Sequence, residues 1–262
     1  TKVAGRAPMN WLRDNGEGTD HTPAQIHEAI DKSLKRLQTD YVDLYQLHWP
    51  DRPIRIFGGL GHKEMGGEIN RIEDVLGTLA EIQKSGKVRH FGLSNETPWG
   101  IMKFLHHSEM NKDLPRMVSV QNAYNLLNRI YELGSSEILH REGVGLLAYS
   151  PLAQGYLTGK YQGGANPPGS RKQLFDRLQR YETEGTDAAI ESYLDIAKKY
   201  GLDASQLANQ FVTTRDFVTS NIIGATNMEQ LKLAVTSVDV DLTDEILADI
   251  DAVHLRAPNI CP

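Results

Sequence analysis

The stretch YVDLYQLHWP, residues 41–50, is a run of strand-forming residues that closes on a histidine, a tryptophan and a proline. Side chains alternate along a strand, so Val42, Leu44, Gln46 and His48 share one face. Pro50 has no N–H to offer a ladder and ends the run. His48 therefore stands at the C-terminal tip of a strand, where a structural and a functional histidine are both open readings.

Working outward, further strand signals fall at residues 88–93, 117–121, 144–149 and 221–223, with a stub at 1–4. Helical patterns lie between them. Residues 22–37 (TPAQIHEAIDKSLKRL) open with a Thr-Pro start signal and set Ile26, Ala29, Ile30, Leu34 and Leu37 on one face. Other helices are expected near 72–85, 98–109, 131–142, 186–200, 204–214, 227–236 and 243–253. Strands alternating with helices predict an α/β fold with a helix-covered parallel sheet. No linker or low-complexity segment divides the chain, so residues 1–262 read as one domain. The glycine-rich segment FGGLGHKEMGG (57–67) fails as a dinucleotide fingerprint, because Glu64 takes the third glycine position and no strand leads into it. It reads as a surface loop.

Composition narrows the function classes. Of 262 residues, 40% are hydrophobic and 24% charged, as in an ordinary globular protein, and the formal net charge of −6 argues against a nucleic-acid surface. No apolar run is long enough to span a bilayer, and TKVAGRAPMN is no signal peptide. Cys261 is the only cysteine, which excludes an intrachain disulfide and suits the cytoplasm. Neither a metal-ligand spacing nor a G-x-S-x-G elbow occurs, and His106–His107 point in different directions on their expected helix.

Polar residues gather where the strands end. Ser94 and Asn95 follow one strand, and Thr97-Pro98 already supplies the cap of the next helix. Gln121 and Asn122 stand at the next strand end, and Tyr149 and Ser150 at the one after. A βα barrel builds its active site from such ends. Two segments also suit phosphate: Gly224 leading into a helix near Asn227, and Arg171 in the loop GGANPPGSRK. Asn227 and Gln230 have the spacing of a capping box as well.

Taken in order, Thr1-Lys2, DLYQLHWPD (43–51), GLSNE (92–96), VQNAYNLLNR (120–129), AYSPLAQGYLTGKY (148–161), GSR (169–171) and IIGATNMEQL (222–231) resemble the aldo-keto reductases from end to end. The branch most similar holds the bacterial Tas-like proteins and the β subunits of voltage-gated potassium channels. The resemblance implies a (β/α)8 TIM barrel and an NADP(H)-dependent oxidoreductase that reduces a small aldehyde or ketone. It gives His48 the task of orienting the substrate carbonyl, and Lys2 that of lowering the pKa of a catalytic tyrosine. Ser94, Asn95 and Gln121 match side chains that hold the nicotinamide carboxamide, and Tyr149 matches the aromatic stacked on its ring. Ser150, Leu152, Lys160, Ser170 and Arg171 match the pyrophosphate and ribose contacts; Gly224, Thr226 and Gln230 match the adenosine end.

Leu233 and Ala234 depart from the family's polar residues at that end. The family's tyrosine and aspartate belong to a segment before the lysine, and six strand signals fall short of eight. The first two βα units are therefore expected to be missing, with the sequence the larger part of a longer reductase. A weakly active NADP(H)-binding regulatory subunit and an inactive fragment are the alternatives. The loop after His48 leaves the substrate open, with Phe57 as its aromatic candidate.

Overall fold

The computed structural model describes residues 1–55, 57, 66, 70–175 and 179–262. Most of the glycine-rich loop therefore lies outside the described residues, and the surface-loop expectation falls there. The strands are β1 (Lys2–Val3), β2 (Val42–Leu47), β3 (Val88–Ser94), β4 (Met117–Ala123), β5 (Gly145–Tyr149) and β6 (Val218–Ile222). The helices are α1 (Pro23–Leu37), α2 (Ile72–Lys84), α3 (Pro98–Met110), α4 (Ser135–Glu142), α5 (Arg171–Phe175), α6 (Thr186–Lys199), α7 (Ala204–Thr213), α8 (Met228–Thr236) and α9 (Asp244–Arg256). The strands are parallel and alternate with helices, which is the expected α/β class.

The described residues form two compact units. One holds 1–55, 66, 70–122 and 137–145, and the other holds 57, 123–136, 146–175 and 179–262. In the first, β1 to β4 pair in chain order, with Lys2 opposite Gln46, Leu47 opposite Leu93, and Ser94 opposite Gln121. Helix α1 buries Ile26, Ile30 and Leu34 as its sequence stripe requires, whereas Leu37 at the end of the stripe is exposed. Thr22 sits at the N-cap position without a side-chain bond. Asp20 instead fixes the entry to the helix: its carboxylate accepts from Thr22 N–H at 3.0 Å, and its own N–H donates to Gln25. At α3 the Thr97-Pro98 signal works as expected, with Thr97 Oγ1 accepting from Gly100 N–H.

In the second unit β5 pairs with β6, Tyr149 opposite Ile222. Strand β6 starts three residues earlier than expected. Its polar Thr219 and Ser220 are exposed, so this strand carries no apolar signature. The helix expected over 131–142 is broken, with a 3₁₀ turn at Ile130–Glu132 and α4 only from Ser135. Gly134, at φ +109, takes a backbone conformation that interrupts any helix. Arg171 opens the short helix α5 rather than lying in a loop.

Candidate active site

Four of the sequence-predicted residues come together at the C-terminal ends of β1, β2 and β3. Parallel pairing without a register break between β1 and β2 sets Lys2 beside Gln46, and His48 N–H continues the ladder onto the Val3 carbonyl at 2.8 Å. Lys2 Nζ donates to Ser94 Oγ at 3.2 Å. Asn95 Nδ2 donates to the same oxygen at 3.2 Å and to the His48 carbonyl at 2.8 Å. Lys2, Ser94, Asn95 and His48 are thus one hydrogen-bonded chain. Ser94 and Asn95, which the sequence left without structural work, hold the histidine loop against β3. Lys2 is a paired, half-buried strand residue, not the frayed end its position suggests.

Burial sets the charge states. Half-buried Lys2 loses hydration, and its ammonium pKa falls to about 8. Desolvation, and then the charge of Lys2, lower His48 to about 4, so its imidazole is neutral at physiological pH. Its ring lies 4.6 Å from that of Trp49, whose indole N–H donates to the Arg6 carbonyl. Gln121 pairs with the same strand end: its carbonyl accepts from Asn95 N–H at 2.9 Å. Its side-chain Oε1 is buried and has no hydrogen-bond partner among the described residues. An orphaned amide oxygen beside the Ser94 hydroxyl, whose proton has no acceptor among the described residues, suits a ligand carboxamide.

Asn122, which the strand-end pattern marked, and Arg52 and Glu96, which it did not, complete this end. The Arg52 guanidinium holds both Glu96 carboxylate oxygens, and Asn122 pairs with the Glu96 backbone. A small cavity adjoins this end, lined by Ser94, Arg52 and Glu96 together with His21, Trp49 and Asp51, among others. His21 is 3% exposed, and its Nε2 has no partner. Desolvation lowers its pKa to about 4, opposed by Asp20 and reinforced by Arg6. Asp51, which also lines the cavity, accepts from Asn70.

A histidine with a folded pKa near 4 and an ordinary value near 6.5 unfolded binds fewer protons folded than unfolded between those limits. Stability is therefore intact above pH 6.5 and falls as pH drops through this window, by about 3 kcal/mol at most for His21. His48 adds to the same limb. His21→Gln is expected to flatten roughly half of the acid slope in thermal melts between pH 7 and pH 4.5. An unaltered slope would remove His21 from it.

The second unit holds the remaining candidates. Tyr149 is half-buried at the end of β5, and its hydroxyl accepts from Arg180 at 3.3 Å. The following turn is strained: Ser150, Ala153, Gln154 and Gly155 all have positive φ, from +47° to +103°. Three of these are not glycine, and such strain concentrates at functional sites. Asn125 anchors the turn by donating to the Ser150 carbonyl at 3.0 Å, and Gln154 Oε1 is a second buried, partnerless oxygen. Leu152 lies in this turn, its carbonyl accepting from Gly155. Lys160 is exposed, its ammonium over the Tyr161 ring.

Ser170 is buried and accepts from Gln173 N–H, while Arg171 is exposed. Gly224, Thr226 and Gln230 are exposed at the start of α8. There Gln230 N–H donates to Asn227, and Gln230 Oε1 accepts from Thr226 N–H. The capping arrangement is thus formed, and it occupies two of the three residues matched to the adenosine end.

Comparison with known proteins places these features in a family. A model of the aldo/keto reductase family matches residues 1–254. Protein tas of Escherichia coli K12 is 50% identical over 258 residues, covering 97% of this chain and 73% of that protein. An aldo-keto reductase of Babesia bovis is 37% identical over 274 residues, covering 98% and 95%. L-glyceraldehyde 3-phosphate reductase of Escherichia coli K12 is 31% identical over 230 residues, covering 85% and 61%. Parallel strands tipped with a bonded lysine, serine, asparagine and histidine, in a chain matched over nearly its whole length, identify an oxidoreductase of the aldo/keto reductase family.

Proposed function

We propose that the protein reduces aldehydes or ketones to alcohols with NADP(H) as cofactor. The observation that carries this reading is the Lys2–Ser94–Asn95–His48 chain with the orphaned Gln121 oxygen at the neighbouring strand end. Ser94 and Gln121 offer a free hydroxyl proton and a free acceptor, the pair a carboxamide needs. Asn95 supports both, through its side-chain bond to Ser94 and its backbone N–H on the Gln121 carbonyl. When bound, the reduced nicotinamide supplies the hydride. Neutral His48 donates a ring N–H to the substrate oxygen and orients the carbonyl. Lys2 places a positive charge beside that oxygen and beside whichever group protonates it.

For the second unit the family resemblance supplies the roles. Tyr149 stacks on the nicotinamide. Ser150, Leu152, Lys160, Ser170 and Arg171 serve the pyrophosphate and ribose, and Gly224, Thr226 and Gln230 the adenosine end. The strained turn at 150–155 and its orphaned Gln154 oxygen support a ligand there. Exposed Lys160 and Arg171 suit the pyrophosphate, which both dinucleotides carry, and the choice of the phosphorylated one follows the family resemblance. The substrate is a small carbonyl compound. A phosphorylated aldehyde belongs in the first panel, because one relative is named for glyceraldehyde 3-phosphate. Phe57, 49% exposed, remains the aromatic candidate to meet it. A cytoplasmic setting fits the lone Cys261.

Titration of NADPH fluorescence tests the cofactor assignment. Saturable binding is expected, at least about tenfold tighter for NADPH than for NADH, the scale of one added charge-assisted contact. Absence of saturable binding to either would defeat the proposal.

A further inference from the structure

Asn122 has no part in the reading above, yet it extends a strand pair beyond its end. Strands β3 and β4 pair as far as Ser94 and Gln121, and Asn95 N–H still reaches the Gln121 carbonyl. At Glu96 the ladder should stop. There Asn122 Oδ1 accepts from Glu96 N–H at 3.1 Å, and Asn122 Nδ2 donates to the Glu96 carbonyl at 2.9 Å. One side-chain amide replaces a rung of the parallel ladder.

The side chain of Glu96 is fixed as firmly. Arg52 NH1 donates to Oε2 at 3.1 Å and NH2 to Oε1, in the two-pronged geometry peculiar to arginine. Thr97 N–H donates to Oε1 at 2.7 Å. Glu96 is 5% exposed, so the pair is withdrawn from water. The first turn of α3 passes directly over this carboxylate at Gly100, where any Cβ would overlap it.

Immediately before this clamp, Asn95 has φ +54, a left-handed conformation that asparagine adopts more readily than other residues with a Cβ but that is only one of those open to it, so its neighbours select it. The same conformation aims the Asn95 amide at the His48 carbonyl and Ser94 hydroxyl. We infer that Arg52, Glu96 and Asn122 form a positioning clamp that imposes the left-handed turn at Asn95 and so arranges the nicotinamide end of the site. The inference rests on the cofactor reading above. Asn122 and Glu96 act through Asn95 and Ser94.

The test compares the protein with Asn122→Ala and Glu96→Gln by titrating NADPH and, separately, 2′,5′-ADP, which lacks the nicotinamide. Both variants are expected to bind NADPH about tenfold more weakly, the scale of one or two buried hydrogen bonds, and 2′,5′-ADP within twofold of the parent. Hydrogen exchange of the Glu96 amide without ligand is expected to accelerate in Asn122→Ala. Equal weakening of both ligands, or unchanged NADPH affinity in folded variants, overturns the clamp while leaving the cofactor reading intact. If the parent binds neither ligand, the cofactor reading falls and this inference with it. Should Asn122→Ala not fold, Glu96→Gln, which keeps the side chain's shape, decides alone.

Discussion

His48→Ala lowers the turnover of NADPH-dependent aldehyde reduction by about 10²–10³-fold, the scale for removing one hydrogen bond aimed at a reacting oxygen. The loss falls on kcat/KM for the carbonyl, and NADPH affinity changes little. The backbone around His48 is held independently of its side chain, by His48 N–H on the Val3 carbonyl and Asn95 on the His48 carbonyl. Alanine therefore removes the ring and leaves the loop in place. Because burial and Lys2 hold the imidazole near pKa 4, the neutral N–H is available throughout pH 5–8, and titration of His48 should leave no break near pH 6.5. His48→Gln, with an amide N–H of similar reach, should recover part of the rate. Wild-type turnover in His48→Ala would assign the substrate oxygen to another group.

Arg129→Ala should cost about 2–4 kcal/mol of stability, less than the penalty for a wholly buried pair because Glu132 is a quarter and Asp251 more than half exposed. Arg129 is 8% exposed. Its Nε and NH2 donate to Glu132 at 2.8 and 2.9 Å, its NH1 to Asp251 at 2.7 Å, and its plane lies over Phe211. Glu132 also accepts from Tyr124 Oη at 2.5 Å, and Asn259 holds the Arg129 N–H. Removing the guanidinium leaves the Glu132 carboxylate beside a buried phenol without its counter-charge. The expected fall in Tm is roughly 10 °C. Arg129→Lys keeps the charge but not the planar fork, and should recover only part of it. A loss below about 1 kcal/mol for Arg129→Ala would show the cluster to be dispensable, as exposed ion pairs often are.

What the sequence made legible was local. Strands β2 to β5 announce themselves by apolar runs, and α3 by Thr97-Pro98, because both signals lie within a few residues of the element they define. Strand β6 was marked only near its end, at 221–223, since the polar Thr219 and Ser220 give its first part no apolar run. The candidate site was half legible. Strand-end polarity marked His48, Ser94, Asn95 and Gln121, whereas Lys2 had only the family resemblance to mark it. Its true signal is a two-residue strand whose partner lies 44 positions away, at Gln46.

Arg52 and Glu96 escaped for a similar reason. They are 44 residues apart, and nothing in the neighbourhood of either demands the other. The strained turn at 150–155 escaped because glycine usually marks left-handed backbone. Here Ser150, Ala153 and Gln154 adopt it, held by contacts such as the Asn125 amide.

Reduction of an aldehyde panel with NADPH deuterated at the transferring C4 position tests the central claim most directly, read by mass spectrometry of the alcohol. Deuterium on the former carbonyl carbon, with one NADPH oxidised per alcohol formed, is the predicted result. NADPH that stays unoxidised with every aldehyde and ketone offered, or alcohol formed without the label, would contradict it.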